Sequence, residues 1–212
     1  MNDIPVFTTE FGVASLFLRE IPYRQRAHIK IQSSLEPEKL LEECIGFCRA
    51  CGAEWIDAAG HAYLEKYPMI TALYAMQCPR DALQETDACL FPVTEETVGQ
   101  WLDIYNTRMA NVPNAAYMDS KDGKELLNTG DGYFVHRDGQ LLGIGKAAGD
   151  FISAIVAVKP GMGETVVRTL VSALTEDTVR LMVAGANERA VRLYERLGFT
   201  KTKELSRWYR VL

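Results

Sequence analysis

Residues 187–199, NERAVRLYERLGF, restrict the fold more than any other stretch, because a helix start, an apolar stripe and a helix stop fall within one short window. Asn187 can accept from an orphan backbone N–H, Glu188 in the first turn suits the positive end of the helix dipole, and Gly198 ends the run. Asn187 and Tyr194 are seven residues apart, close to two turns, so a polar cap and a phenol share one side of the cylinder. One ligand can touch both. The helix is framed by VRLMVAGA and KTKELSRWYRV, which both read as strands.

The residues before that frame alternate in the same way. YFVHRDGQLLGIG reads as a hairpin with Asp138 and Gly139 at its tip. FISAIVAVKP reads as a buried strand, followed by the helix GETVVRTLVSAL with Val166, Val167, Leu170, Val171 and Leu174 as its apolar stripe. ACLFPVTEETVGQWLDIYNTRM predicts a short strand, a Thr94 cap and a helix carrying Val98, Trp101, Leu102, Tyr105 and Met109 on one face; residues 110–131 read as loop. Nearer the start, ASLFLREI and AHIKIQ predict paired strands, a helix runs from about Glu36 to before Gly52, AEWIDAAGHAYLEKYP predicts a strand and short helix, and MITALYAMQ a strand ended by Pro79. Residues 14–77 thus mirror 133–211 in order, and AAGHAYLEKYP echoes AGANERAVRLYERLGF. The expectation is a duplicated unit, 1–84 and 85–212, with a shortened first copy. The strands MITALYAMQ and KTKELSRWYRV close the two halves, and the halves are expected to join edges or complete each other's sheets.

The junction KPGMGET, residues 159–165, combines glycines, which let backbone N–H groups approach an anion closely, with the free donors of a helix start. The order Asn187, Ala190, Leu193, Tyr194, Gly198, Phe199 resembles the second cofactor-binding motif of the GCN5-related N-acetyltransferases (GNAT family). Gly161 and Gly163 match the glycine pair of that family's diphosphate loop, in a loop about three residues shorter and without the usual Arg or Gln. The resemblance covers about residues 89–212. It implies the acyl-CoA N-acyltransferase fold, an α/β (α+β) mixed sheet, with a smaller degenerate copy in the N-terminal half. It implies acetyl-CoA as co-substrate and transfer of the acetyl group to a primary amine of a small molecule or peptide. It further implies that Gly161, Met162, Gly163, Glu164, Thr165, Asn187 and Tyr194 bind the cofactor. The backbone of Val156 and Val158 would pair with the pantetheine arm, and Tyr194 would be the acid for the departing thiolate. A non-catalytic acyl-CoA-binding or regulatory module is the alternative.

A general base has no clear candidate. His136 lies toward the hairpin tip, at the expected diphosphate end and away from an acceptor amine, while Asp150, Ser153, Asn114 and Tyr117 lie toward the other end.

Composition excludes several classes. The formal charge of −5, from 23 basic and 28 acidic side chains, disfavours non-specific nucleic-acid binding. No apolar run is long enough for a transmembrane helix and MNDIPVFTTEFG is not a signal peptide, so a cytoplasmic protein without membrane partners is expected; oligomerisation is left open. Five cysteines in such a chain read as reduced thiols. Cys44, Cys48 and Cys51 share one helix face, which offers a metal or redox site as the functional reading and a packed face beside Leu40, Leu41 and Phe47 as the structural one. No metal-ligand spacing surrounds them, so the packed face is preferred and no metal is expected.

Overall fold

A computed structural model describes residues 5–212, and its contacts divide the chain into two compact units. One holds the described residues up to Leu73 together with Leu205–Leu212; the other is Tyr74–Glu204. The partition differs from a cut near Gln84 at both ends: Tyr74–Gln84 belongs with the second unit, and the last eight residues return to the first.

In the first unit, β1 (Val6–Thr9), β2 (Gly12–Phe17) and β3 (Arg26–Ser34) are antiparallel neighbours, with a short helix α1 (Ile21–Arg24) between the second and third. The helix α2 (Pro37–Ala50) leads to β4 (Trp55–Ala59), which runs parallel to β3 from Arg26↔Trp55 to Lys30↔Ala59. A 3₁₀ turn (Ala62–Lys66) follows, then the start of β5 (Met69–Pro79). The far edge of β4 is filled from the other end of the chain: Tyr209 pairs with Ala58, and Arg210 Nε donates to the buried Asp57 carboxylate at 2.5 Å.

The helix α2 buries Leu40, Leu41, Cys44 and Cys48 against Leu16, Ile29 and Ile31. Cysteine packs there as a small hydrophobe. Burial pushes the Cys44 thiol up to about 12 and Cys48 to about 11, so both keep their protons at neutral pH and lack the thiolate that redox or metal chemistry needs. Among the described residues no group of three or more His, Cys, Asp or Glu side chains is placed to hold a metal ion.

The second unit continues with β6 (Cys89–Pro92), α3 (Val98–Met109), α4 (Ser120–Thr129), β7 (Gly132–Arg137), β8 (Gln140–Ala148), β9 (Phe151–Ala157), α5 (Gly163–Leu170), β10 (Thr178–Ala184) and α6 (Glu188–Arg196), and ends within β11 (Thr200–Arg210), which belongs to the first unit from Leu205 on. From β6 to β9 neighbours are antiparallel; β10 is parallel to β9, and β5 lies on the other side of β10. Asp138 and Gly139 both have positive φ, 51° and 73°, as a tight hairpin turn between β7 and β8 requires. The main core joins Val166, Val167 and Leu170 of α5 to Tyr194 and Phe199, and includes Met76, Cys78 and Leu83 from before Gln84. A second core under α3 holds Trp101 and Tyr105, stacked at 5.6 Å, with the Trp101 indole N–H donating to Tyr133 O.

Two local expectations are corrected. Residues 110–131 are not all loop: α4 occupies the second half, started by a capping box in which Asp119 accepts from Lys121 and Asp122 N–H and Asp122 accepts from Asp119 N–H. Only Gly123 and Leu126 of α4 are buried, too few apolar positions for a visible stripe. Thr94 is not the cap of α3; it stands one turn earlier, where its N–H donates to Thr97 Oγ1 and its carbonyl accepts from Val98 N–H. No helix among the described residues is long and apolar enough to cross a membrane.

Candidate active site

The parallel strands β9 and β10 separate almost as soon as they meet. They are in register at Phe151 and Ile152, while β9 stays paired with β8 up to Ala157. Beyond Ile152 the other edge of β9 therefore borders a slot. A cavity of about 700 Å³ opens there, lined by Ile155 and Ala157, by residues 159–164 in part, and by one face of α6.

The pleat decides which backbone groups face this slot. Val158 N–H donates to Leu142 O at 2.9 Å while its carbonyl accepts from the Arg108 guanidinium at 2.8 Å, and Val156 stands opposite Ile144, so these even-numbered residues turn their N–H groups to β8. With a period of two, the groups of Ile155 and Ala157 point the other way. Val156 and Val158, expected from the resemblance to pair with the pantetheine arm, thus turn their N–H groups to β8 and not to the slot. Their side chains are also turned from the slot: Val156 is buried under α3.

At the end of the slot, α5 begins at Gly163 without a side-chain cap. Its first internal bond runs from Val166 N–H to Met162 O, leaving the N–H groups of Gly163, Glu164 and Thr165 without a place in the helix ladder. These donors and the helix dipole form an anion-binding start. Gly161 has φ 84°, a conformation that favours glycine. Gly163 serves closeness: a Cβ there would lie 2.9 Å from Leu193 Cδ2, so the start of α5 abuts the middle of α6. Gly161, Gly163 and Glu164 line the cavity, whereas Met162 and Thr165 do not. Met162 bends the loop through its N–H to Lys159 O and packs its side chain against the core.

The helix α6 behaves as its sequence predicts. Asn187 caps it by accepting from Ala190 N–H at 3.3 Å, and the chain turns away at Gly198, φ 93°. Asn187 and Tyr194 both line the cavity. The Tyr194 ring is 6% exposed and rests on Phe199 at 5.9 Å, and its hydroxyl has no hydrogen-bond partner among the described residues. Burial raises its pKa, so the phenol keeps its proton throughout the neutral range.

The cavity wall is basic although the chain is acidic. Arg108, Lys159, Arg189, Arg192 and Arg196 face two carboxylates, Glu164 and Glu188. These two are engaged, Glu164 with Arg168 at 3.0 Å and Glu188 with Arg192 at 2.6 Å. The arginines at 189, 192 and 196 were legible as a helical row, i, i+3 and i+7, but only the fold shows that the row faces a cavity.

None of the base candidates lines this cavity. His136 is packed between Phe91 and Phe134, Asp150 is paired with Arg180 at 2.6 Å, and Ser153 donates to Lys146 O. The loop carrying Asn114 and Tyr117 is tied to α3 by Asn106, whose amide bonds both the N–H and the carbonyl of Met118.

Residues 157–209 match the family model described as FR47-like protein. No curated protein sequence matches the chain. Among solved structures, the chain is similar to a conserved Staphylococcus epidermidis ATCC 12228 protein of unknown function, with TM-score 0.62 and 13% identity over 99% of this chain and 94% of that one. It is similar to a GCN5-related N-acetyltransferase from Kribbella flavida, with TM-score 0.57 and 11% identity over 96% and 58%. It is also similar to an acetyltransferase of the GNAT family from Colwellia psychrerythraea, with TM-score 0.53 and 13% identity over 97% and 84%. The mixed α/β fold is that of the GNAT acetyltransferases, as the resemblance of residues 187–199 implies.

Proposed function

We propose that the protein is an acetyl-CoA-dependent N-acetyltransferase acting on a primary amine of a small molecule or peptide. The observation that carries this reading is the parting of β9 from β10 beside a cavity that ends on a bare helix start. A pantetheine arm can add to the free edge of β9 as a strand would, with its amides on Ile155 and Ala157. The diphosphate then reaches the N–H groups of Gly163 and Glu164, and the thioester lies toward Tyr194 and the point of parting.

In the reaction a neutral amine attacks the thioester carbonyl, the C–N bond forms, the C–S bond breaks, and the amine's proton ends on the CoA thiol. A slot-facing N–H of β9 can meet the oxyanion. Tyr194 is the donor for the departing sulfur. A phenol whose pKa is raised by burial gives up its proton reluctantly, so it stabilises the thiolate by a hydrogen bond while the protonated nitrogen of the tetrahedral intermediate supplies the proton. With Glu164 and Glu188 held in ion pairs, water is the natural carrier of the amine proton.

The shortened loop favours the second reading, an acyl-CoA binder without turnover. One experiment separates the two: release of free thiol from acetyl-CoA across a panel of amines, beside calorimetric binding of acetyl-CoA. Binding with amine-dependent release supports the enzyme; binding without release over the whole panel supports the binder; no binding rejects both.

A further inference from the structure

A cluster of ionisable side chains in the first unit surrounds His28 on β3. Its Nε2 is 3.9 Å from Glu20 Oε1 and its Nδ1 is 3.8 Å from Asp57 Oδ2, both beyond hydrogen-bond range, so the buried Nδ1 has no partner among the described residues. Both carboxylates are held by arginines instead, Glu20 by Arg24 at 3.4 Å and Asp57 by Arg210 Nε at 2.5 Å. Arg26, two residues before His28 on the same face of β3, is a third cation beside the ring. Among the described residues two carboxylates thus answer three guanidinium groups. A proton on His28 would add a fourth cation, at a desolvation cost that carboxylates already shared with arginines do not return. Burial accordingly holds the His28 pKa below the usual histidine value, against the pull of Glu20 and Asp57.

The cations differ in what carries them. Arg24 and Arg26 belong to α1 and β3, whereas Arg210 arrives on residues 205–212, the segment that returns to β4. The same segment brings Trp208, whose indole meets the His28 ring edge-on at 5.5 Å. Departure of Arg210 removes one positive charge and leaves Asp57 to the imidazolium. We propose that His28 is an acid-sensitive latch, in which protonation of its ring displaces Arg210 from Asp57 and releases residues 205–212 from β4. In the released state the ring is solvated and has the ordinary pKa of about 6.5. The released state therefore binds the proton more readily, so the latch holds above about pH 6.5 and weakens as the pH falls below it. If the latched ring takes no proton, the opening equilibrium rises about 30-fold by about pH 5, which is the upper limit.

The test is hydrogen exchange of the full-length protein from about pH 7 to about pH 5, each rate divided by the intrinsic rate at that pH. The backbone N–H groups to follow are those of Ile56, Arg210 and Val211, which donate to Leu212 O, Pro68 O and Ile56 O. Their normalised exchange should rise by about threefold to 30-fold with acidification, while the N–H groups shared by β2 and β3 stay protected. In His28→Gln, which carries no proton, the rise should vanish. No rise in the wild type, an equal rise in the glutamine variant, or a rise spread over β2 and β3 overturns the proposal. Titration of the His28 ring resonances in the wild type needs no variant: a midpoint below about 6.5 supports the latch, and one at or above it overturns it.

Discussion

Each unit contains a strand, a helix and a second strand parallel to the first, β3–α2–β4 in one and β9–α5–β10 in the other, and the two treat that strand pair in opposite ways. In the first, β4 is paired with β3 over all five of its residues, and Gly60 follows so closely that a Cβ would lie 2.2 Å from Ile31 O. In the second, β9 and β10 are in register over two residues and then part. The helices that follow differ as well. α2 begins with Pro37, which has no N–H, beside Glu36 and Glu38, while α5 begins with glycines beside Lys159 and the α6 arginines. A closed strand pair leaves no edge for a ligand, and a carboxylate-rich helix start repels an anion. Duplicated order alone therefore makes no site. The opening of the sheet does.

Cutting the chain after Gln84 should produce the largest effect on this comparison. A fragment of residues 85–212 loses the β5 segment beside β10 and with it Met76, Cys78 and Leu83 from the core. Burial of such side chains contributes about 1.5–3 kcal/mol each, a sum comparable to the whole stability of a domain. The fragment should be aggregated or lack a cooperative melting transition by circular dichroism and gel filtration. A monomeric, cooperatively folded fragment that binds acetyl-CoA fully would show that the second unit stands alone.

Tyr194→Phe comes next. It keeps the buried ring and removes only the donor, so kcat should fall by up to about 10²-fold while cofactor affinity barely changes. If steady-state kinetics find kcat intact, the phenol is a core residue and the acid role is lost.

The assignment of slot-facing backbone can be broken with a pair of prolines. Ala157→Pro deletes an N–H that no strand uses, and should lower acetyl-CoA affinity by up to about tenfold with a near-normal melting temperature. Val158→Pro deletes the bond to Leu142 O and should instead lower the melting temperature. The reverse outcome would return the pantetheine contacts to Val156 and Val158.

The smallest effect concerns the closed unit. Cys51 and Cys89 are exposed and should react first with a thiol reagent at pH 8, Cys44, Cys48 and Cys78 only on unfolding. Folded Cys44 and Cys48 hold their protons to about 12 and about 11, whereas unfolded thiols release theirs near 9. Above pH 9 the unfolded state binds fewer protons than the folded one, so stability should fall as pH rises from about 9 to 11. Replacing both residues with alanine should flatten that slope in denaturant titrations; an unchanged slope would assign it to other groups.

Much of this was readable before any tertiary contact was known. The cap at Asn187, the stop at Gly198, the hairpin tip at Asp138 and Gly139 and the stripe of α3 are local events, set by side chains acting within a turn or two of their own backbone. The helix α4 is not visible in the apolar pattern, because its signal is a polar capping box with two buried positions and no apolar period.

Long-range features were less accessible. Alternation along β9 is plain in the sequence, but its phase depends on which neighbour takes which N–H, and a shift of one residue exchanges the slot-facing groups for the paired ones. The unit boundary depends on where two strands from opposite ends of the chain find their partners. The elements, their order and the Asn187–Tyr194 face are written in the chain locally, because they follow from propensity, capping and period. That β9 and β10 part, that Ile155 and Ala157 border the opening, and that an arginine row on α6 looks into it emerge from the folded arrangement alone. Those outcomes arise from pairing between residues distant in the chain, where steric fit and hydrogen-bond partnership, not local preference, select the arrangement.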